Sequence, residues 1–257
     1  MGPGVSGAPR RACARRSAVL PGGEVRSDVP GTPSEAWPHP EQTLLGRIGG
    51  ERLQDASGRS GFVLIPSGLE AFGMRAALAA TAERTLDLQY YIVRDDATSN
   101  VLLLRVRQAA DRGVRVRLLL DDMYAAGRDA DLAALSAHPA VEVRVVNPFL
   151  SRGPFWIARL FEFLGTGGRL NRRMHNKLWI ADNAVAVIGG RNLGDEYFDA
   201  HGEVNFTDLN VLAIGPAVRD VSKSFDEYWN SPWSVPIEAL VTSPGIAAQP
   251  VGPPVRR

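Results

Sequence analysis

The sequence has little of what secreted and membrane-spanning proteins depend on. Cys13 is the only cysteine among the 257 residues, which excludes an intrachain disulfide and a cysteine-rich zinc site. No run approaches the roughly 18 consecutive apolar residues that a membrane-spanning helix requires. Residues 17–22 are too few for the apolar core of a signal peptide. We therefore expect a cytoplasmic or peripheral membrane protein, without a transmembrane helix or a complete signal peptide.

The chain also lacks an excess of charge of either sign. It has 29 basic and 28 acidic residues, so its formal net charge is +1 and no overall positive field would recruit nucleic acid. Lysine is scarce, because only Lys177 and Lys223 are lysines and the other basic residues are arginines. In such a chain, a lysine at a particular position indicates a need for a compact ammonium group rather than a planar guanidinium.

Apolar residues make up 45% of the chain, which is enough for a sizeable buried core. Residues 1–43 and 243–257 are rich in glycine, proline and other small or polar residues and are predicted to be a disordered extension and a disordered tail. The folded domain is expected at residues 44–242. Strand-like and helix-like segments alternate from about residue 62 to residue 146, which predicts an α/β fold with a mixed, mostly parallel sheet of about seven strands flanked by helices.

The chemistry of the chain is concentrated in residues 174–192. His175, Lys177 and Asp182 follow the pattern H-x-K-x4-D, and a glycine-rich turn then leads to Asn192. In an extended strand, His175 and Lys177 project from the same face. An imidazole can attack phosphorus while a neighbouring ammonium neutralises the charge that develops on the phosphoryl oxygens. The pattern therefore predicts a phosphodiester site, in which Asn192 supplies a further neutral donor.

Residues beside the pattern are candidates for binding the substrate phosphate, either through positive charge or through the glycine-rich turn. They are Arg172, Arg173, Gly190 and Arg191. Asp182 fits a turn residue as well as it fits a site residue. Asp121 and Asp122 follow an apolar strand and are better explained as a loop cap than as metal ligands. Residues 154–164 fit a core helix, although an apolar lip for lipid is also consistent with their composition.

These segments resemble the HKD motif of the phospholipase D superfamily. The resemblance rests on HNKLWIAD followed by GGRN, and it extends to LDLQYYIV, VRLLLDDMYAAG, RLNRRMHNK, GGRNLGDEYFD and FDEYWNSPW. Together they are similar to the first, N-terminal half of the bacterial cardiolipin synthase C-like group, over about residues 45–240. The resemblance implies phosphatidyl transfer in cardiolipin synthesis, or the related phospholipase D hydrolysis, through a phosphohistidine on His175.

The same resemblance implies that Lys177 and Asn192 hold the phosphate of a phosphatidylglycerol-like phospholipid at a peripheral membrane surface. It implies no metal and no organic cofactor. It also implies an acidic residue that orients the catalytic histidine, and the sequence has Asp208-Leu-Asn210 at that place. If Asn210 occupies the family position, Asp208 becomes the candidate for this role.

A second HKD motif, whose histidine protonates the leaving group in the family, is absent from this sequence. His39, His138 and His201 are not followed by a lysine two residues later. Two alternatives to a self-sufficient phospholipid enzyme therefore stay open. One is a truncated or split inactive half that needs a partner with the second motif. The other is a homodimeric phosphodiesterase or nuclease, although the near-neutral charge argues against nucleic acid as a partner.

Overall fold

The computed structural model describes residues 31–56, 58–125, 128–148 and 173–241. Eight strands lie in these ranges: β1 Gly61–Ile65, β2 Thr85–Tyr90, β3 Arg115–Asp121, β4 Val141–Val146, β5 Leu178–Ala181, β6 Val185–Gly189, β7 Asn210–Ile214 and β8 Ser234–Pro236. The α-helices of the same ranges are α1 Leu44–Arg52, α2 Gly68–Thr81, α3 Ala97–Asp111, α4 Asp122–Ala125, α5 Asp129–Ser136 and α6 Pro216–Trp229. Single 3-10 turns occur at Pro40–Gln42, Gln54–Ala56, Asp195–Tyr197 and Ile237–Ala239. None of the described helices is long and apolar enough to cross a membrane.

The strands form one mixed sheet in the order β1-β7-β6-β5-β2-β3-β4-β8. β2, β3 and β4 run parallel and are joined by the helices that parallel strands require, whereas the other five neighbouring pairs are antiparallel. The predicted α/β class is confirmed, but the expectation of a mostly parallel sheet needs correction. A three-residue turn joins β5 to β6, and a connection this short can join only antiparallel neighbours.

Helices cover both faces of the sheet, and each face has its own hydrophobic core. Successive side chains of β5 point alternately into one core and the other. Trp179 points into the core that α2 and α3 cover, together with Leu88 of β2. Leu178 and Ile180 point to the opposite face, where they pack in the same core as Phe225 of α6. This alternation extends to the residues just before β5, so it determines which way the side chains of the predicted motif point.

A segment that precedes the predicted domain boundary at residue 44 is bound to the sheet. We call residues 32–36 the N-terminal strap. The side chain of Arg144 donates to the carbonyl oxygen of Thr32 at 2.6 Å, and Arg115 donates to that of Glu35 at 2.6 Å. The amide of Ala36 donates to the carboxylate of Asp226 on α6 at 2.9 Å. The contacts of the folded unit therefore begin before residue 44.

Arg117 connects the strap to the interior on the α6 side of the sheet. Its guanidinium forms two hydrogen bonds with Asp87, at 2.6 and 2.8 Å, and it lies 2.8 Å from a carboxylate oxygen of Asp226. It also donates to the carbonyl oxygen of Ser34 at 2.9 Å and lies over the ring of Phe225. A buried arginine with this many acceptors avoids most of the penalty for losing its hydration, because nearly every N–H group has a partner.

Candidate active site

His175 and Lys177 lie in an extended segment just before β5, at the end of the sheet where β2 also ends. The imidazole of His175 is exposed, whereas Lys177 is only 3% exposed. Both side chains contact one aromatic ring. The ring centroids of His175 and Tyr91 are 5.0 Å apart, and the Lys177 Nζ lies 5.3 Å from the centroid of the Tyr91 ring. The structure therefore places the imidazole and the ammonium together, as the alternation of an extended chain predicts.

Burial changes the proton affinity of Lys177. Loss of hydration lowers the pKa of its ammonium from 10.5 to about 8, while the carboxylates of Asp208 and Asp121 act in the opposite direction. The Nζ donates one hydrogen bond, at 2.6 Å, to the carbonyl oxygen of His175. Within the part of the chain that the structure describes, this is the hydrogen bond that the ammonium makes, so its other N–H groups are available to an anion.

Asn192 reaches the same region from β6, because the β5–β6 hairpin returns the chain to the end of the sheet where it began. Its side-chain oxygen accepts from the amide of Ile92 at 3.0 Å, and its Nδ2 donates to the hydroxyl of Tyr197 at 3.0 Å. Ile92 directly follows Tyr91, which contacts His175. These two bonds fix the orientation of the carboxamide and leave one of its two N–H groups for a ligand.

Arg191 is buried and is engaged by the protein itself. Its guanidinium donates to the carbonyl oxygens of Tyr197 at 3.0 Å and Pro66 at 2.5 Å, and to the side-chain oxygen of Asn210 at 3.2 Å. Burial lowers its pKa below the ordinary value for arginine. The structure gives this side chain partners within the fold, so the predicted contact with substrate phosphate stays a prediction.

Gly190 allows Asp208 to approach the site. A Cβ atom at Gly190 would collide with the carboxylate of Asp208, so any larger residue here would require that carboxylate to move. Asp208 accepts from the amide of Leu209 at 2.6 Å, and its charge raises the pKa of Lys177. This carboxylate thus lies close enough to act on the lysine electrostatically. Among the described residues it makes no hydrogen bond with His175.

Asp182 lies at the opposite end of β5 from His175. Its buried carboxylate accepts from three consecutive backbone amides, those of Glu83 at 3.0 Å, Arg84 at 2.7 Å and Thr85 at 2.9 Å. These bonds fix the chain at the start of β2. The structure therefore does not bring Asp182 together with His175 and Lys177, and its contacts agree with the turn alternative.

Asp121, at the end of β3, holds the residues that precede His175. Its buried carboxylate accepts from the amide of Met174 at 3.0 Å and from the guanidinium of Arg173 at 3.4 Å. Loss of hydration raises the pKa of this carboxyl above its ordinary value. The sequence marked Asp121 only as the end of an apolar run, and nothing in the pattern indicated this contact. Arg172 and residues 154–164 lie outside the described residues.

A metal centre has no candidate ligand set in residues 31–56, 58–125, 128–148 and 173–241. No group of three or more histidine, cysteine, aspartate or glutamate side chains in those ranges is arranged to hold an ion. The groups that the structure brings together are instead an exposed imidazole, a buried ammonium and an oriented carboxamide. This donor set suits an anionic ligand such as a phosphate group.

Comparison with known proteins gives a consistent family. The family model described as "Cardiolipin synthase, PLD-like domain" matches residues 76–229. Cardiolipin synthase C of Escherichia coli (strain K12) is 45% identical over 187 residues, which are 73% of this chain and 39% of that protein. An uncharacterized protein of Helicobacter pylori (strain 26695) is 37% identical over 203 residues, which are 79% of this chain and 40% of that protein.

The chain spans about two fifths of the length of these curated relatives. Among solved structures, NucT from Helicobacter pylori superposes with a TM-score of 0.50 at 11% sequence identity. The superposition covers 69% of this chain and 98% of that one. At such low identity, the likeness shows a shared fold.

Proposed function

Because the chain belongs to the cardiolipin synthase, PLD-like domain family, we propose that it transfers a phosphatidyl group from one alcohol to another, or to water. The observation that carries the proposal is the pairing of an exposed imidazole, His175, with a buried ammonium, Lys177, at one aromatic ring. An exposed nucleophile is accessible to a lipid headgroup, and a partly dehydrated ammonium stabilises anionic oxygens more strongly than one in water.

In the first proposed step, a ring nitrogen of His175 attacks the phosphorus of a phosphodiester. A P–N bond forms, the P–O bond to the headgroup alcohol breaks, and the departing oxygen takes up a proton. Lys177 and Asn192 donate to the non-bridging oxygens, whose negative charge increases as the bond forms. The product is a phosphatidyl group attached to histidine.

In the second proposed step, the hydroxyl oxygen of an acceptor attacks the same phosphorus. The P–N bond breaks, the acceptor loses its proton, and His175 is regenerated. If phosphatidylglycerol is both donor and acceptor, the products are cardiolipin and glycerol. If water is the acceptor, the product is phosphatidic acid. The substrates lie in a bilayer, so we propose that the chain works at a peripheral membrane surface.

The leaving alcohol also needs a proton donor, and this sequence carries one HKD motif. We propose that a second histidine comes from another polypeptide unit, either a second copy of this chain or a partner that bears the other motif. A site formed by two copies about a two-fold axis would receive one His175 from each.

The proposal is tested by measuring glycerol release from phosphatidylglycerol vesicles together with the mass of the protein in solution. We expect His175→Ala to lower turnover by at least about a thousandfold, because it removes the nucleophile. Lys177→Gln should lower it by about a hundredfold, because it removes one charged donor. The chain offers matched controls: His39 and Lys223 are both exposed, and His39→Ala and Lys223→Gln should retain full activity.

The outcomes separate the alternatives. Activity that survives His175→Ala would eliminate His175 as the nucleophile. A monomer with no turnover would favour an inactive half, and activity regained on adding a polypeptide with the second motif would establish the need for a partner. Cleavage of single-stranded DNA at a rate above that for phospholipid would support the homodimeric phosphodiesterase instead.

A further inference from the structure

We propose that Tyr91 is a positioning residue for this site, whose ring holds the imidazole of His175 and the ammonium of Lys177 in one arrangement. The kinetic part of this inference rests on the proposed function. The spectroscopic part rests on the geometry alone. Both contacts are to the same ring, at 5.0 Å between ring centroids for His175 and 5.3 Å from the centroid to Nζ for Lys177.

An exposed catalytic histidine needs a contact that orients its ring. Among the described residues, no group is hydrogen-bonded to the ring nitrogens of His175. The two residues expected to orient the ring are engaged elsewhere, since Asp208 accepts from the amide of Leu209 and Asn210 accepts from Arg191. Within the described ranges, the tilted packing against Tyr91 is a ring contact that restricts the imidazole. Aromatic pairs of this kind favour the packed rotamer by up to about tenfold.

Lys177 contacts both of the other residues, so that Tyr91, His175 and Lys177 all contact one another. Its ammonium lies over the Tyr91 ring and also donates to the carbonyl oxygen of His175 at 2.6 Å. The negative face of an aromatic ring attracts a cation without using up its N–H groups. Tyr91 can therefore hold the ammonium in a region with little water and leave its donors directed at a ligand.

The backbone of the next residue connects Tyr91 to the third candidate phosphate ligand. The amide of Ile92 donates to the side-chain oxygen of Asn192 at 3.0 Å. Two consecutive residues, at the end of β2, thus contact the imidazole, the ammonium and the carboxamide. None of these three contacts uses the hydroxyl of Tyr91, so a phenylalanine at this position should keep all three.

The test compares Tyr91→Phe with Tyr91→Leu, using Tyr228→Leu on α6 as a control away from the site. Four histidines and two lysines give few signals in NMR spectra of selectively labelled protein. We expect ring-current shifts on the His175 ring protons and the Lys177 ε-methylene in the wild type and in Tyr91→Phe. In Tyr91→Leu these shifts should collapse, while the Lys223 signal and the chemical shifts of the backbone elsewhere stay unchanged.

The kinetic comparison should follow the same order. Loss of orientation affects the chemical step more than the binding of lipid, so Tyr91→Leu should lower kcat by about ten- to a hundredfold and change KM by less than about threefold. Tyr91→Phe should remain within about threefold of the wild type in both constants. A role in folding alone would lower the apparent kcat only through the fraction of active protein. The constants are therefore normalised to active sites counted by titration, and with a folding role alone the normalised kcat of Tyr91→Leu would equal that of the wild type.

Each result supports or overturns the inference. Resonances of His175 and Lys177 that do not move in Tyr91→Leu would overturn it, even in an active enzyme. Equal losses of kcat in the phenylalanine and leucine variants would also overturn it, because the hydroxyl would then be the important group. If the wild type has no turnover on any phosphodiester but the shifts still collapse in Tyr91→Leu, the proposed function fails and the positioning of the two side chains stands.

Discussion

Replacing Lys177 with methionine should stabilise the protein while it lowers turnover by about a hundredfold or more. Methionine has a similar length and fills the same space, but it removes the ammonium that is buried beside Tyr91. A group that is retained at a cost in stability is characteristic of a functional site rather than of a structural one. The substitution therefore tests whether the lysine is present for chemistry.

The size of the effect follows from the pKa of Lys177, which burial lowers from 10.5 to about 8. At about 1.4 kcal/mol for each pH unit, the charged form is disfavoured in the fold by at most on the order of 3 kcal/mol. Methionine also loses the hydrogen bond to the carbonyl of His175, so the expected gain in the free energy of unfolding at pH 7 is about 1–3 kcal/mol.

The direction of this change in the free energy of unfolding can be checked through its dependence on pH. Between pH 8 and 10.5 the unfolded chain binds the lysine proton more tightly than the folded chain does, so the stability of the wild type rises across this window. Below about pH 8 both states are protonated and the full penalty is present. The advantage of Lys177→Met should therefore be largest at pH 7 and should shrink toward pH 10.

Urea unfolding at pH 7 and pH 10 measures this advantage directly. The control is Lys223→Met, because Lys223 is exposed on α6 and its replacement should change the free energy of unfolding by less than about 0.5 kcal/mol. The reasoning would be refuted by a methionine variant that is less stable than the wild type at pH 7, or by an advantage that does not change with pH. An NMR titration of ¹³C-labelled lysine should also place the midpoint of Lys177 near pH 8.

Two further substitutions test the roles of acidic residues. Asp182→Ala should lower the free energy of unfolding by about 2–4 kcal/mol, because three buried amides lose their acceptor, and turnover per folded molecule should not change. Denaturation curves measure the change in stability, and active-site titration gives the turnover per folded molecule. The control is Asp220→Ala on the exposed face of α6. An Asp182→Ala variant that is stable but inactive would contradict the structural role. Asp208→Asn removes a charge that raises the pKa of Lys177, so the pKa should fall further below 8 and the alkaline limb of the pH–rate profile should move to lower pH. A limb that moves to higher pH would show that Asp208 does not act on the lysine in this way.

The placement of His175 and Lys177 was accessible from the sequence because extended chain alternates between two faces whatever its tertiary environment. The position of Asp182 was equally determined by spacing. The four residues of β5 lie between it and Lys177, and five steps of about 3.3 Å place it roughly 16 Å away, at the other end of β5. The spacing that identifies the motif is therefore also the reason that its last member lies far from the imidazole.

Strand direction and the strap could not be predicted in the same way. A run of alternating apolar residues has the same period in parallel and antiparallel strands, so only the short β5–β6 turn carried information about direction. The strap binds Arg115, Arg117 and Arg144 mainly through main-chain carbonyl oxygens, which every residue type supplies. The strap is Thr-Pro-Ser-Glu-Ala, a composition of small and polar residues that therefore gave no indication that it packs.

The strap has a practical consequence for anyone who clones or recombines this unit. A fragment trimmed to the stretch that the family model matches, residues 76–229, would discard both β1 and the strap. Arg117 would lose its bond to the carbonyl oxygen of Ser34, although its bonds to Asp87 would keep the side chain buried. The guanidinium groups of Arg115 and Arg144 would lose their strap acceptors and become exposed to solvent. Chimaeras that exchange halves between relatives should therefore place the upstream junction before residue 32. A junction at residue 44 or later would impair solubility and yield for reasons unrelated to catalysis.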